Sequence, residues 1–213
     1  MSQNEVVNEL GSIWEKLVFS YTGEKTLIEK YWQELLNHYT GTERYYHNLN
    51  HLHKLIGNIE ANKSFILNYH ALLFAAFYHD VYYDVSRDDN EMQSAALAEQ
   101  RLRELKIDKS IITLTSKIIH QTASHNKANN FDIDLFLDFD RDILSSSEEE
   151  YREYKEQIRK EYSIFPDKIY KTFRSKFLQQ YLSVREIYYT PIYRGRENIA
   201  RHNLERELKE LVA

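Results

Sequence analysis

A chain of 213 residues without a single cysteine forms no disulfide framework and no thiolate centre, and with 5 glycines and 2 prolines it lacks the turn residues that sandwiches and barrels need at every corner. Its formal charge of −5 disfavours a nucleic-acid polymer as partner, and no segment approaches membrane-spanning length. The acidic, periodic start MSQNEVVNELGSIWEKL has neither the basic residues nor the apolar run of a secretory signal, so the expected fold class is all-α and the expected compartment is the cytoplasm.

Helices are predicted over about 4–19 and 24–38, the second with Leu27, Tyr31, Leu35 and Tyr39 at four-residue steps, and a turn at Thr40, Gly41 and Thr42 closes the pair. The segment Arg44-Tyr45-Tyr46-His47-Asn48 leads into a third helix. There Leu49, Leu52, Leu55, Ile56 and Ile59 cover one arc, with His47 and His51 on its flank. The fourth helix, about 68–80, contains HALLFAAFYHD, apolar on every face, and should be surrounded by others.

A fifth helix opens at Asp88-Asp89-Asn90-Glu91 and runs to about 105, and a sixth, capped by Asp108, continues to about 122 with Ile111, Thr115, Ile118 and Thr122 inward. After a polar loop at 124–130, a seventh spans about 132–144. Ser147 with Glu150 reads as the capping box of an eighth helix, Pro166 opens a ninth, and the last, about 196–211, repeats Ala200, Leu204, Leu208 and Leu211. Most of the 17 tyrosines and 10 phenylalanines recur at helical spacing, as in Tyr170, Phe173, Phe177 and Tyr181, which reads as core packing.

His79-Asp80 ends the most apolar helix, where an unpaired charge or unbonded imidazole costs several kcal/mol, roughly. A hydrogen bond from His79 and a solvated Asp80 would answer that cost without any ligand. On the seventh helix Ile133, Phe136, Leu137, Ile143 and Leu144 form an apolar arc that includes Asp140, whereas Asp134, Asp138, Arg141 and Asp142 share the opposite face. A carboxylate aimed into a core needs a cation: a metal ion shared with His79 and Asp80, or else a buried arginine. Another imidazole would come from the cluster His47, His51 and His53, and the wheel does not choose between His51 and His53.

The order His, then His-Asp, then a distant Asp on successive helices resembles the HD-domain superfamily of metal-dependent phosphohydrolases. Tyr46-His47-Asn48-Leu49-Asn50-His51 is similar to the YHNxxH signature of its cyclic-nucleotide phosphodiesterases. The resemblance is strongest to a bacterial branch of predicted HD phosphohydrolases, which also shares Asp89-Asn90-Glu91 with Ser94, Thr122 with His125, and Leu137-Asp138-Phe139-Asp140.

The resemblance implies one HD-like helical domain over 1–213, with a metal-binding core at about 44–145 and helices 147–212 packed on it. His51, His79, Asp80 and Asp140 become the ligands of a divalent Mn, Fe, Co, Ni or Zn ion. His47 becomes the general acid and Asp84 a water-orienting base. His79-Asp80-Val81-Tyr82-Tyr83-Asp84 departs from the related HDxxED stretch by having Tyr83 in place of Glu. Arg44, Asn90, Glu91 and His125 become substrate contacts, with a helix-capping pair of Asp88 and Glu91 and a solvated helix-end His125 as the other readings.

The implied activity is hydrolysis of a small phosphorylated substrate, a nucleotide by analogy. A two-metal oxygenase and a regulatory module without turnover are the alternatives, and the oligomeric state is not legible.

Overall fold

The computed structural model describes residues 1–212 and holds ten α-helices, with no strand among the described residues. They are Gln3–Phe19 (α1), Lys25–Tyr39 (α2), Leu49–Ala61 (α3), Tyr69–Tyr78 (α4), Asn90–Glu104 (α5), Lys109–Thr122 (α6), Phe131–Asp140 (α7), Glu148–Glu161 (α8), Asp167–Ser183 (α9) and Glu197–Val212 (α10). Short 3-10 turns occupy Lys63–Phe65, Asp142–Ser145 and Arg194–Arg196. The all-α class expected from composition is the class observed. The chain forms two compact units, residues 1–128 and the residues from Asn129 onward.

In the first unit α4 packs against α3, α5 and α6. Its residues Ala71 through Tyr78 are all buried, as a helix without a polar face requires. Trp14 of α1 sets its ring edge-on to Phe74, Phe77 and Tyr78, and its indole N–H donates to the Ile28 carbonyl at 3.0 Å, so the largest buried side chain leaves no orphan donor. The helix stops at Tyr78, with His79 as its C-cap, two residues short of the predicted 80. His79 and Asp80 therefore sit where the ladder ends and carbonyls are left without helical partners.

In the second unit α10 packs along α9 and on the 3-10 turn Asp142–Ser145. The capping box of α8 is formed: the Ser147 hydroxyl accepts from the Glu150 N–H and the Glu150 carboxylate accepts from the Ser147 N–H. A buried ion pair ties α9 to α10. Arg174 donates twice to Glu207, at 2.7 and 3.1 Å, and the Tyr151 hydroxyl donates to the same carboxylate at 2.6 Å.

Three readings of the sequence are corrected. The face of α7 assigned to Asp134, Asp138, Arg141 and Asp142 does not point to solvent. All four are buried, and so is Asp132, whereas Asp140 is partly exposed. The wheel assumed one inward arc on a helix buried nearly all round. Phe173 is 58 % exposed and Arg174 takes the inward position beside it, because the ion pair with Glu207 needs that side of α9. Asp88 and Glu91 form no cap: the N-cap of α5 is Asp89, whose carboxylate is taken by Arg87 and Gln93 instead of the helix N–H groups.

Candidate metal centre

The site grows from two chain segments of the first unit. One is the turn and first turn of α3, carrying Arg44, His47 and His51. Asn48 is the N-cap of α3: its side-chain oxygen accepts from the Asn50 N–H at 2.8 Å, and its amide donates to the Tyr45 carbonyl at 2.8 Å. The Asn of the Tyr-His-Asn triplet is thus spent on starting the helix, which sets His51 in its first turn and His47 just before it. The other segment is the end of α4, carrying His79 and Asp80.

His51 and His79 are 8 % and 1 % exposed. Their Nε2 atoms lie 3.3 Å apart, and Asp80 Oδ2 lies 3.1 Å from His79 Nε2 and 3.7 Å from His51 Nε2. His79 Nδ1 is 2.9 Å from the Ala76 carbonyl oxygen, which can only accept, so the proton of the neutral ring is on Nδ1. The lone pair of Nε2 then faces a carboxylate oxygen and a second imidazole nitrogen.

A bare His79 Nε2 repels the Asp80 carboxylate oxygen unless a cation lies between them, and it repels His51 Nε2 as well when that ring carries its proton on Nδ1. An added proton on His79 would answer some of these contacts. A divalent ion suits the set better, because bonds of about 2.1 Å at tetrahedral to octahedral angles set neighbouring ligand atoms roughly 3.0 to 3.4 Å apart, the range in which His79 Nε2 stands from Asp80 and from His51. The residues present fit such an ion, and the Ala76 carbonyl is the outer partner that orients a ligating histidine. Burial raises the Asp80 carboxyl, and the rings of His79, His47 and His51 outweigh that effect and hold it below the usual carboxylate range only when they carry an added proton.

His47 stands at the edge of this cluster. Its ring stacks on Tyr83 at 4.0 Å and meets Tyr46 edge-on at 4.9 Å, with the His51 ring 5.8 Å away. Asp84 is exposed, and hydrogen bonds from the Ser86 hydroxyl and N–H, at 2.6 and 2.9 Å, lower its carboxyl. That makes it a weak base but a constant acceptor. The side chain of Asn90 is engaged with the main chain of Asp84: its oxygen accepts from Asp84 N–H at 3.1 Å and its amide donates to Asp84 O at 2.9 Å. Glu91 follows on the first turn of α5, half-buried. The Ser94 hydroxyl, buried, accepts from Tyr82 N–H at 3.1 Å.

Arg44 lies beside His47, with its guanidinium engaged by main-chain carbonyls: Nη1 donates to His47 O at 3.0 Å and Asp80 O at 2.6 Å, and Nη2 to Val81 O at 2.9 Å. His125 sits in the loop after α6 with a left-handed backbone, φ 51°. His53 points elsewhere and pairs with Glu9 at 3.1 Å. In the second unit, Asp140 is the last residue of α7. Asp138, two residues before it, is 0 % exposed and accepts from Tyr189 N–H and Thr190 N–H at 2.8 Å each and from the Thr190 hydroxyl at 2.7 Å.

Sequence reasoning missed the bracing roles of Arg44, Asn90 and Ser94. Their partners are main-chain atoms, which carry no residue-type signal. No helix among the described residues is long and apolar enough to cross a membrane. Comparisons of the chain with protein-family models, with curated proteins and with solved structures found no match.

Proposed function

We propose that this protein is a metal-dependent phosphohydrolase of the HD type, acting on a small phosphate ester, with a nucleotide as the substrate class suggested by the sequence resemblance. The observation that carries the reading is the tautomer of His79: with Nδ1–H held by Ala76, its Nε2 lone pair faces Asp80 and His51, a donor set that suits a divalent cation.

In this reading His51, His79 and Asp80 hold the ion. Asp140 is assigned as a further ligand on the sequence resemblance, and His51, His79 and Asp140 are together a set of residue types able to hold one. When bound, a divalent ion of the Mn, Fe, Co, Ni or Zn group supplies Lewis acidity toward a phosphoryl oxygen and a water acidic enough to ionise near neutral pH.

The chain's own residues do the rest. His47, held flat by Tyr83, donates a proton to the departing oxygen, a task suited to an imidazole that titrates near neutrality. Asp84, kept ionised by Ser86, accepts a hydrogen bond from the attacking water and orients it. Burial of the two imidazoles keeps bulk water away from their nitrogen atoms.

The test joins elemental analysis of the purified protein to a screen of phosphate mono- and diesters with added Mn, Co or Zn. Asp80→Ala should lose both metal and hydrolysis. His47→Ala should keep the metal and slow turnover by about 10² to 10⁴-fold. Wild-type hydrolysis by metal-free Asp80→Ala would end the proposal.

A further inference from the structure

We infer that Arg44 is a positioning residue: its guanidinium couples the segment bearing His47 and His51 to the segment bearing His79 and Asp80, and so sets the spacing of the metal ligands.

The two segments are 36 residues apart in sequence at the Arg44–Asp80 contact, and one planar group bridges them. Nη1 is shared between the His47 and Asp80 carbonyls, and Nη2 takes the Val81 carbonyl. Asp80 and Val81 follow the last turn of α4, where carbonyls lack helical partners and a cation is favourably placed. The rings of Tyr39 and Tyr83 lie 5.3 and 5.6 Å from the guanidinium carbon, and Tyr83 is also the ring on which His47 stacks. On the α5 side the same loop is tied by Ser94 to Tyr82 and by Asn90 to Asp84. The residues from 79 to 84 are thus held between Arg44 and α5.

The fork geometry matters. A lysine offers a point charge that rotates, and it does not hold three carbonyls on two separate segments in one plane. Three of the five N–H donors of the guanidinium are committed to main-chain carbonyls, so holding the two segments is its first task, with two donors left over.

The inference rests on the proposed metal centre, and its test reads the two separately. Cobalt(II) is titrated into the wild type, Arg44→Ala and Arg44→Lys and followed by visible absorption, while amide exchange of segments 44–52 and 79–84 is measured in EDTA. The expected result is a 10- to 100-fold weaker cobalt affinity in both variants, with faster exchange in both segments and unchanged helicity. Arg44→Lys serves as the second variant if Arg44→Ala does not fold.

Wild-type cobalt affinity and wild-type exchange in the variants would overturn the positioning role. So would an unchanged cobalt affinity joined to a raised KM for a phosphate ester, the outcome of a substrate-gripping arginine. If the wild type takes up no cobalt, zinc or manganese, the phosphohydrolase reading fails. The coupling of the two segments then stands or falls on the exchange data alone.

Discussion

Asp138 and Asp140 share a short buried helix and face opposite demands. Asp138 meets three donors from the 189–190 segment and lies 3.3 Å from Arg141, so its charge is answered within its own unit. Asp140 is more exposed and is assigned to the cation. Asp138→Ala leaves a buried and a part-buried N–H group and a buried hydroxyl without their acceptor, and should cost about 3 kcal/mol, read as a lower urea midpoint at constant slope. Asp140→Ala should cost clearly less in EDTA and instead lose metal. The reverse ranking would show that the two roles are exchanged. The sequence could see that His79 and Asp80 needed a partner, because an imidazole and a carboxylate at the end of the most apolar helix stand out by residue type, whereas only the resemblance chose His51 over His53. It could not see which aspartate of α7 was already satisfied, because the donors to Asp138 are main-chain N–H groups more than fifty positions away. It could not see Arg44 as a brace for the same reason.

The helices themselves were legible where one signal dominated. The unbroken apolar run of α4 and the Ser147–Glu150 box of α8 need only local chemistry. The start of α9 at Pro166 was legible too, but its inward face was not, because its apolar residues lie on more than one side and a buried charge decided the packing. Arg174 and Glu207 are 7 % and 3 % exposed at the side chain and bridge α9 to α10 with Tyr151 and Tyr154 around them. Removing one partner leaves the other charge buried and unpaired, so Glu207→Leu or Arg174→Met should each lower stability by about 3–5 kcal/mol. The double variant should lose less than the sum, since neither charge is then left alone. Additive losses in thermal or urea unfolding would mean that the pair is not coupled in solution.

Across the whole chain a charge of −5 leaves no strong field, and its response to mild acid depends on individual histidines. Two of them are not among the candidate ligands. His38 is pushed below the usual histidine value by burial and by the positive charges of Arg44 and Arg101, which outweigh Glu34 and a hydrogen bond to the Val81 main chain. His70 is lowered by burial and by Lys63, and its Nδ1, 2.5 Å from the Tyr21 hydroxyl, accepts that proton when the ring is neutral. In the unfolded chain both rings take a proton near pH 6.5, roughly, whereas in the folded chain they do so only at lower pH. Between those two points the unfolded state binds more protons, so stability present above about pH 6.5 is lost as the pH falls through the folded values. Urea midpoints measured in EDTA from pH 7.5 down to 5 should therefore decline, and His38→Gln with His70→Gln should decline less steeply even if its midpoint at pH 7.5 is lower. The comparison of slopes cancels whatever both proteins share. Parallel curves for the two proteins would show that these half-buried rings take up their protons at the same pH in the folded and the unfolded chain.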